Sequence, residues 1–481
     1  MTPSFLISVR HFGGGRCALQ VFFPGETQRR EALFGRTYGI LLHPTSLPGS
    51  WGIGTLGSEA HEFARWMADS GAKVWQVLPL NPPVYNHSPY QVLSSFAGNP
   101  LLVSPEELFN QGFLSAAELD SARSQCSATV NWHSLEGRKA LLTTAANRAL
   151  NAGVTGFDSF YKQQHVREWS WFAATKELNG GRPWPQWSAA KPDLEEQLVH
   201  GMIQYFFHTQ WISLKKYCSS LGIRILGDIP IYAALDSTDV YFNRELFKLN
   251  AQGDPTVVAG VPPDYFSTTG QLWGNPVYDW DRCAASGYRW WTHRMAGALE
   301  LFDAVRIDHF RGFDQYWEVP AGETTAVNGT WNSGPGIDLF RQMEKLLGKL
   351  PVVAEDLGII TPSVRALRKQ CGFPGMVVLQ FALQNSSFSV ENMDPNSVIY
   401  TGTHDNDTTA GWISSTETGF KSVRSVVDIA LSSPADLAML PMQDVLELDS
   451  SARMNTPGAS SGNWGWRMLE IPQVTQSFAR G

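Results

Sequence analysis

The chain has 481 residues, 43% hydrophobic and only 17% charged, with 43 glycines and 28 prolines, which suits a large loop-rich globular protein and excludes a disordered or fibrous one. The formal net charge is −8; with both signs scattered and no basic stripe, nothing points to a nucleic acid or an anionic membrane as partner. The five cysteines, Cys17, Cys126, Cys218, Cys283 and Cys371, lie far apart without a CxxC pair, which reads as reduced thiols in the cytoplasm and not as a disulfide frame or zinc site.

Residues 1–35 carry four arginines, two glutamates and the cluster "HFGGGR", without the apolar stretch of a secretory signal, and read as a weakly ordered N-terminal extension. No run of about 18 apolar residues follows, so no membrane span is expected. From there eight short runs of β-formers bounded by turn residues appear in order: Gly39 to Pro44, Lys73 to Leu80, Ile223 to Tyr232, Asp303 to Phe310, Pro351 to Leu357, Gly375 to Leu383, Val398 to Asp405 and Ala438 to Leu446. Between them lie stretches such as "SEAHEFARWMADSG", "GIDLFRQMEKLLGK" and "TPSVRALRKQCG", whose apolar residues recur three or four apart.

So regular an alternation predicts a (β/α)8 barrel over residues 36–481 in preference to an open doubly wound sheet. Two connections exceed a simple crossover. Residues 101–222 carry several helical patterns and are expected to form an inserted, largely helical subdomain; residues 233–300, rich in aromatics and turn residues, suit a loop-rich insertion covering the catalytic face.

In such a barrel the chemistry sits at the C-terminal ends of the strands. There the fourth run carries Arg306 and Asp308, two apart and so on one strand face. Asp228 lies in the third run, Glu355 and Asp356 near the end of the fifth, and His404 and Asp405 at the end of the seventh, with Asp407 just beyond it. One such carboxylate is more often a helix cap or a structural ion pair than a catalyst. Several in one barrel mouth are different, because buried charge is costly as structure alone. Glycoside cleavage uses such a set: one carboxylate to attack the anomeric carbon, one carboxylic acid to protonate the leaving oxygen, and further negative charge for the oxocarbenium-like transition state. A metal centre is the rival use. No His-x-His, HExxH or CxxC spacing supports it, and Arg306 would compete with a cation, so no metal is expected. Of the many aromatics, Tyr85, Tyr265, Phe266 and Trp273 lie in Gly/Pro/Asn-rich loops, where a ring has less core to fill and suits the apolar face of a sugar.

A series of longer motifs runs through the chain in order: "GILLHPTSLPGSWGIGTLG", "SPYQVLSSFAGNPLL", "GDIPIYAALDSTDVYFN", "PPDYFSTTGQLWGNPVYDW", "VRIDHFRGF", "VVAEDLG", "GMVVLQFAL", "YTGTHDNDTTAGW", "PMQDVLELDSSARMNTPG" and "GNWGWR". In these the chain resembles the 4-α-glucanotransferases (amylomaltases, or disproportionating enzymes) of the wider α-amylase-like barrel group. The resemblance implies Asp308 as nucleophile, Glu355 as general acid/base and Asp405 as transition-state stabiliser. It further implies that Arg306 and His404 hold the sugar and the nucleophile, with Asp228 near the same subsite. A loop with Gly270, Gln271 and Trp273 would arch over the glucan, and Tyr85 and Asn463 would line its groove. Maltooligosaccharides or α-glucans derived from starch or glycogen are the implied partners. The chain departs from the family where members usually read "YGDSPYQ" and this one has Asn86 and His87. A retaining α-glucan hydrolase and a non-catalytic glucan-binding protein are the other readings.

Overall fold

The computed structural model describes residues 6–12, 16–22, 32–84, 86–188, 191–263, 267–417 and 419–473. Each of the eight apolar runs overlaps one strand of a single eight-stranded sheet in which every pairing is parallel: Thr37–Leu41, Val74–Gln76, Arg224–Ile229, Ala304–Ile307, Val352–Ala354, Gly375–Val378, Ser397–Tyr400 and Leu437–Pro441. Numbered as barrel strands 1 to 8 in that order, they follow one another around the sheet as 5-4-3-2-1-8-7-6. The ring closes between strands 5 and 6, where the Ala354 N–H donates to Pro374 O at 2.9 Å and the Met376 N–H to Asp356 Oδ1 at 2.8 Å. The molecule is therefore a (β/α)8 barrel.

Parallel strands covered by helices are buried on both faces and must be apolar nearly throughout, and all five residues of strand 8 and all four of strands 4 and 7 are buried. All eight runs extend past their strands, and two of them pass directly into an α-helix. After Val378 the chain turns into the short helix Leu379–Ala382, and after Pro441 into Met442–Val445. An unbroken apolar run fits a buried strand and a buried helix equally, so periodicity could not separate them. Helix boundaries follow local chemistry: Pro362–Cys371 opens on Thr361, whose side chain accepts from the Val364 N–H, and closes on Gly372 at φ +71°, a conformation glycine adopts without cost.

Residues 101–222 hold the helices Pro105–Asn110, Ala116–Ser121, Arg138–Ala152, Phe157–Tyr161, Gln164–Leu178 and Leu194–Ser220. The last, 27 residues long, opens on a capping box between Asp193 and Glu196 and delivers the chain to strand 3. Its buried Phe206 and Trp211, with Leu142 and Phe172 of the neighbouring helices, share one continuous core with Ile225 and Ala304 of the barrel. No helix among the described residues is long and apolar enough to cross a membrane.

Residues 233–300 contain more regular structure than a loop. Val257–Val261 and Gln271–Pro276 pair with each other, and through Val257–Val261 with Gln315–Pro320, which pairs in turn with Thr330–Ser333, giving a four-stranded antiparallel sheet. Gly260, Gly274, Asn275 and Pro276 interrupt the β pattern in the sequence and hide these strands. Near the N-terminus, where the sequence suggests weak order, Leu6–Phe12 and Arg16–Phe22 pair as an antiparallel ladder.

Strand 3 meets the chain entering strand 4 at close quarters: a Cβ on Gly227 would lie 2.1 Å from the Phe302 ring. Gly227→Ala is expected to cost about 1–3 kcal/mol through overpacking, read as a lowered thermal midpoint. A midpoint equal to that of the parent chain would show that the ring yields freely.

Candidate active site

The site is built outward from Arg306. Its position on strand 4 points it into the barrel, where it is 4% exposed, and an isolated cation there would be strongly destabilising. It is paired twice: Nη1 lies 2.6 Å from Asp228 Oδ2 at the end of strand 3, and Nη2 lies 2.9 Å from Asp308 Oδ1 just beyond strand 4. The two carboxylates hold Arg306 ionised, raising its pKa well above the usual value against the opposing effect of burial. Asp228 is the more deeply buried partner. Burial pushes its pKa up to about 7, against the lowering effect of Arg306 and with a further push from the Asp308 charge. Tyr90 donates its hydroxyl to the same Asp228 Oδ2 at 2.8 Å.

Glu355 follows strand 5, which pairs with strand 4 in the register Val353 with Arg306 and Ala354 with Ile307. One residue further along both strands come Glu355 and Asp308, side by side. Glu355 accepts two backbone hydrogen bonds, from His309 N to Oε2 at 2.7 Å and from Leu357 N to Oε1 at 2.8 Å. The first exists because His309 turns back in the left-handed region at φ +53°, a conformation that costs a non-glycine residue of order 1 kcal/mol and recurs at functional sites. Burial first, then the Asp308 charge, raise the Glu355 pKa to about 7, with Arg306 and the two N–H groups opposing. A carboxyl group poised near neutrality can deliver a proton and take one back.

The remaining elements come from across the barrel, after strand 7. Asp405 Oδ1 accepts from Asn455 Nδ2 at 2.6 Å, its backbone carbonyl accepts from Arg453 Nη2 at 2.7 Å, and His404 Nε2 lies 3.5 Å from Oδ1. The His404 ring stacks on Tyr90, with centroids 5.1 Å apart and planes 15° apart, and Trp464 borders both rings. Tyr90 thus links the Asp228 side of the barrel to the His404 side. Burial lowers the His404 pKa, so the ring is neutral at physiological pH. Asp308 and Asp405 keep side-chain exposures of 30% and 47%, so both can be reached by a ligand in the barrel mouth.

The four-stranded sheet reaches the strand-4 side of this mouth through Trp273. Trp273, on Gln271–Pro276, sets its ring edge-on to His309 at 4.8 Å and donates its indole N–H to Gln271 Oε1 at 3.1 Å. Gly270 must be glycine: at φ +67° a Cβ would sit 2.3 Å from Val261 O. Asn463 serves its own loop, accepting from Thr456 N at 2.9 Å and donating to Ala459 O at 3.0 Å, beside Trp464. Tyr85, with Tyr265 and Phe266, lies outside the described residues. The neighbouring Asn86 and His87 both take positive φ, and His87 stacks on Trp132.

Two acidic candidates turn out to hold the scaffold. Asp356 pairs with Arg368 at 3.0 Å and accepts from Met376 N, and Asp407 accepts from Ser450 Oγ and Thr408 N. Three residues the sequence reading passed over belong to the cluster: Tyr90, Asn455 and Trp464. Each lies inside a motif quoted above, in "SPYQ", "RMNTPG" and "GNWGW", and the loop position of the two aromatics was the available signal.

Paired carboxyl groups on adjacent strand ends of a (β/α)8 barrel, one buried and proton-bearing near neutrality, with aromatic rings beside them, are the arrangement of barrel enzymes that act on glycosidic bonds. Residues 42–472 match the family model described as 4-alpha-glucanotransferase, and the chain belongs to that family of glycosyl-transferring enzymes. It is 42% identical to the 4-alpha-glucanotransferase of Thermus thermophilus, covering 90% of this chain and 95% of that one. It is 43% identical to that of Synechocystis sp., covering 90% and 94%. A solved structure, amylomaltase from Streptococcus agalactiae in complex with acarbose, superposes with a TM-score of 0.86 at 34% identity over 90% of this chain and 95% of that one.

Tyr90→Phe removes one of the hydrogen bonds that hold Asp228 ionised, so the Asp228 pKa is expected to rise further and its grip on Arg306 to weaken at pH 7. A hydrogen bond to a charged group contributes about 1.5–3 kcal/mol. The expected outcome is at least about a tenfold fall in kcat/KM at pH 7, with the ratio of variant to parent at each pH partly recovering as pH is raised and the fold intact by circular dichroism; a pH-independent ratio would place Tyr90's contribution elsewhere.

Proposed function

We propose that this chain moves a segment of α-1,4-glucan from a donor to the 4-hydroxyl of an acceptor glucan or glucose, by double displacement with retention of configuration at the anomeric carbon. The observation that carries the reading is the Asp308–Glu355 pair. The two residues follow adjacent paired strands, about 4.8 Å apart, which suits the ~5–5.5 Å carboxyl separation of retaining enzymes better than the ~6.5–9.5 Å of inverting ones. Asp308, anchored by Arg306, attacks the anomeric carbon while Glu355 passes its proton to the leaving glycosidic oxygen. The donor's reducing-end fragment departs and a glycosyl ester on Asp308 remains. Glu355, now a carboxylate, takes the proton of the acceptor 4-hydroxyl as that oxygen displaces Asp308, and the starting protonation states return.

Asp405, reachable from the barrel mouth, contributes negative charge opposite the developing oxocarbenium centre, and the Tyr90–His404 stack offers a wall for the sugar ring. Hydrolysis would differ only in the acceptor. The four-stranded cover with Trp273 favours a sugar over water by shielding the ester and adding contact area for the acceptor chain. Maltooligosaccharides from starch or glycogen are the proposed substrates. We place the protein in the cytoplasm, a reading supported by the absence of disulfides among the four described cysteines, while relatives such as that of Arabidopsis thaliana carry a chloroplastic/amyloplastic name.

Incubation with maltotriose is expected to release glucose together with longer oligomers at constant total reducing ends; a steady rise in reducing ends would mark a hydrolase, and unchanged maltotriose a binding protein. Asp308→Asn is expected to abolish turnover, and near-parental activity would overturn the assignment of the nucleophile.

The first step needs Glu355 protonated. With its pKa raised to about 7, kcat/KM is expected to fall as pH rises through about 7. Loss of that basic limb only above pH 9 would remove Glu355 from the role of acid.

A further inference from the structure

Trp331 is placed where packing does not account for it. It lies on Thr330–Ser333, the outermost strand of the four-stranded cover, opposite Trp317 on the neighbouring strand, and keeps 38% of its surface in water. The largest core tryptophans, Trp75, Trp211 and Trp291, are by contrast fully buried. Yet the ring is not loose. The Trp317 ring meets it at 65° with centroids 5.1 Å apart, and the Arg311 guanidinium lies over it at 4.1 Å. Arg311 is itself buried, with Nε unpartnered among the described residues, and its Nη1 donates to Ile359 O at 2.6 Å. The Ile359 side chain is 57% exposed.

Arg311 therefore ties an exposed indole and an exposed aliphatic side chain to the two segments that grip Glu355. One is the turn after strand 4, where His309 N–H binds Oε2; the other is the loop after strand 5, where Leu357 N–H binds Oε1. In the proposed reaction Glu355 meets the leaving oxygen, so the part of the glucan beyond the bond, and the acceptor that replaces it, run past this side of the mouth. A rigid ring presented to water along that path has the chemistry of a pyranose platform, since the apolar face of a glucose unit covers it at little entropic cost.

We propose that Trp331, with Ile359 beside it, forms a sugar-binding subsite on the acceptor side of the cleavage point that holds a glucose unit of an α-1,4-glucan some way beyond the bond. The proposal rests on Glu355 being the acid/base. The subsite is filled only by chains long enough to reach it, so it selects acceptor and donor length without touching the reacting atoms.

The test compares maltotriose with maltoheptaose. In Trp331→Ala the ratio of kcat/KM for maltoheptaose to that for maltotriose is expected to fall roughly five- to tenfold, the size of one lost ring contact, through KM and not kcat, while maltotriose disproportionation stays within about twofold of the parent. Trp331→Phe, which keeps a ring, is expected to hold most of the ratio, and Trp331→Leu to lose it. An unchanged ratio in Trp331→Ala, or an equal loss on both substrates, overturns the subsite. Should Trp331→Ala fail to fold, the Phe and Leu variants decide alone: equal ratios for the two overturn it. If the parent chain does not redistribute maltotriose at all, it is the proposed function that fails; if it does and only the length ratio is unmoved, only this subsite fails.

Discussion

A guanidinium buried inside the barrel with a carboxylate on either side is the constraint from which the rest of the site follows. Removing charged groups from water costs several kcal/mol per ion, and the loss is recovered only with close, well-directed partners. Arg306 has them in Asp228 and Asp308. Once that cation is fixed, the charge count of the mouth is set. Asp228, Asp308 and Glu355 face one neighbouring cation, and a water-poor space does not support three negative charges against it. The cost falls on the two groups burial penalises most, Asp228 and Glu355, both pushed up to about 7. In the proposed reaction the proton that Glu355 delivers is kept there by burial first and by the neighbouring Asp308 charge second, with Arg306 opposing.

The scaffold delivers these groups in a row because neighbouring strands carry them. Strands 3, 4 and 5 are consecutive in the sheet and end in Asp228, in Arg306 with Asp308, and in Glu355. The same ladder bonds that make the barrel set the spacing: Asp308 N donates to Ile229 O and Glu355 N to Ile307 O, each at 3.0 Å. Shifting either strand by one residue would turn a carboxyl group away from the barrel mouth, so register and chemistry are fixed together. Asp405 comes from the far side, and what joins it to the row is the Tyr90 hydroxyl on Asp228 and the Tyr90 ring on His404.

What could be read from the sequence divides along physical lines. The eight strands were legible because two-sided burial forces apolar runs, and Asp228, Arg306, Asp308, Glu355 and Asp405 because charge at the end of such a run needs a reason. Composition alone could not separate Glu355 from its neighbour Asp356, or Asp405 from Asp407. In each pair both are acidic and both follow a strand, and only the coordinates show one facing the mouth and the other fastened to Arg368 or Ser450. The cover sheet escaped notice for a related reason: strands exposed on one side and broken by glycine and proline carry little periodic signal. Tyr90 and Asn455 act through one hydrogen bond each, to partners 138 and 50 residues away, and no local pattern encodes such a distance.

Trp273 and Glu355 are joined through His309, and in the proposed reaction this bears on why a sugar, not water, would complete it. Trp273 rests edge-on against His309, and the His309 backbone N–H holds Glu355 Oε2. Burial lowers the His309 pKa to about 3, so the ring is neutral and its contact with the indole is one of shape, insensitive to pH across the working range. In the proposed reaction, a glucan lying under Trp273 would bear on the residue whose positive φ aims that N–H. An occupied acceptor groove would then hold Glu355 in register for proton abstraction, whereas a lone water molecule brings no such contact. On that reading, selectivity for transfer follows from geometry that only a chain-length acceptor completes, in keeping with binding energy from remote units being used at the reacting centre.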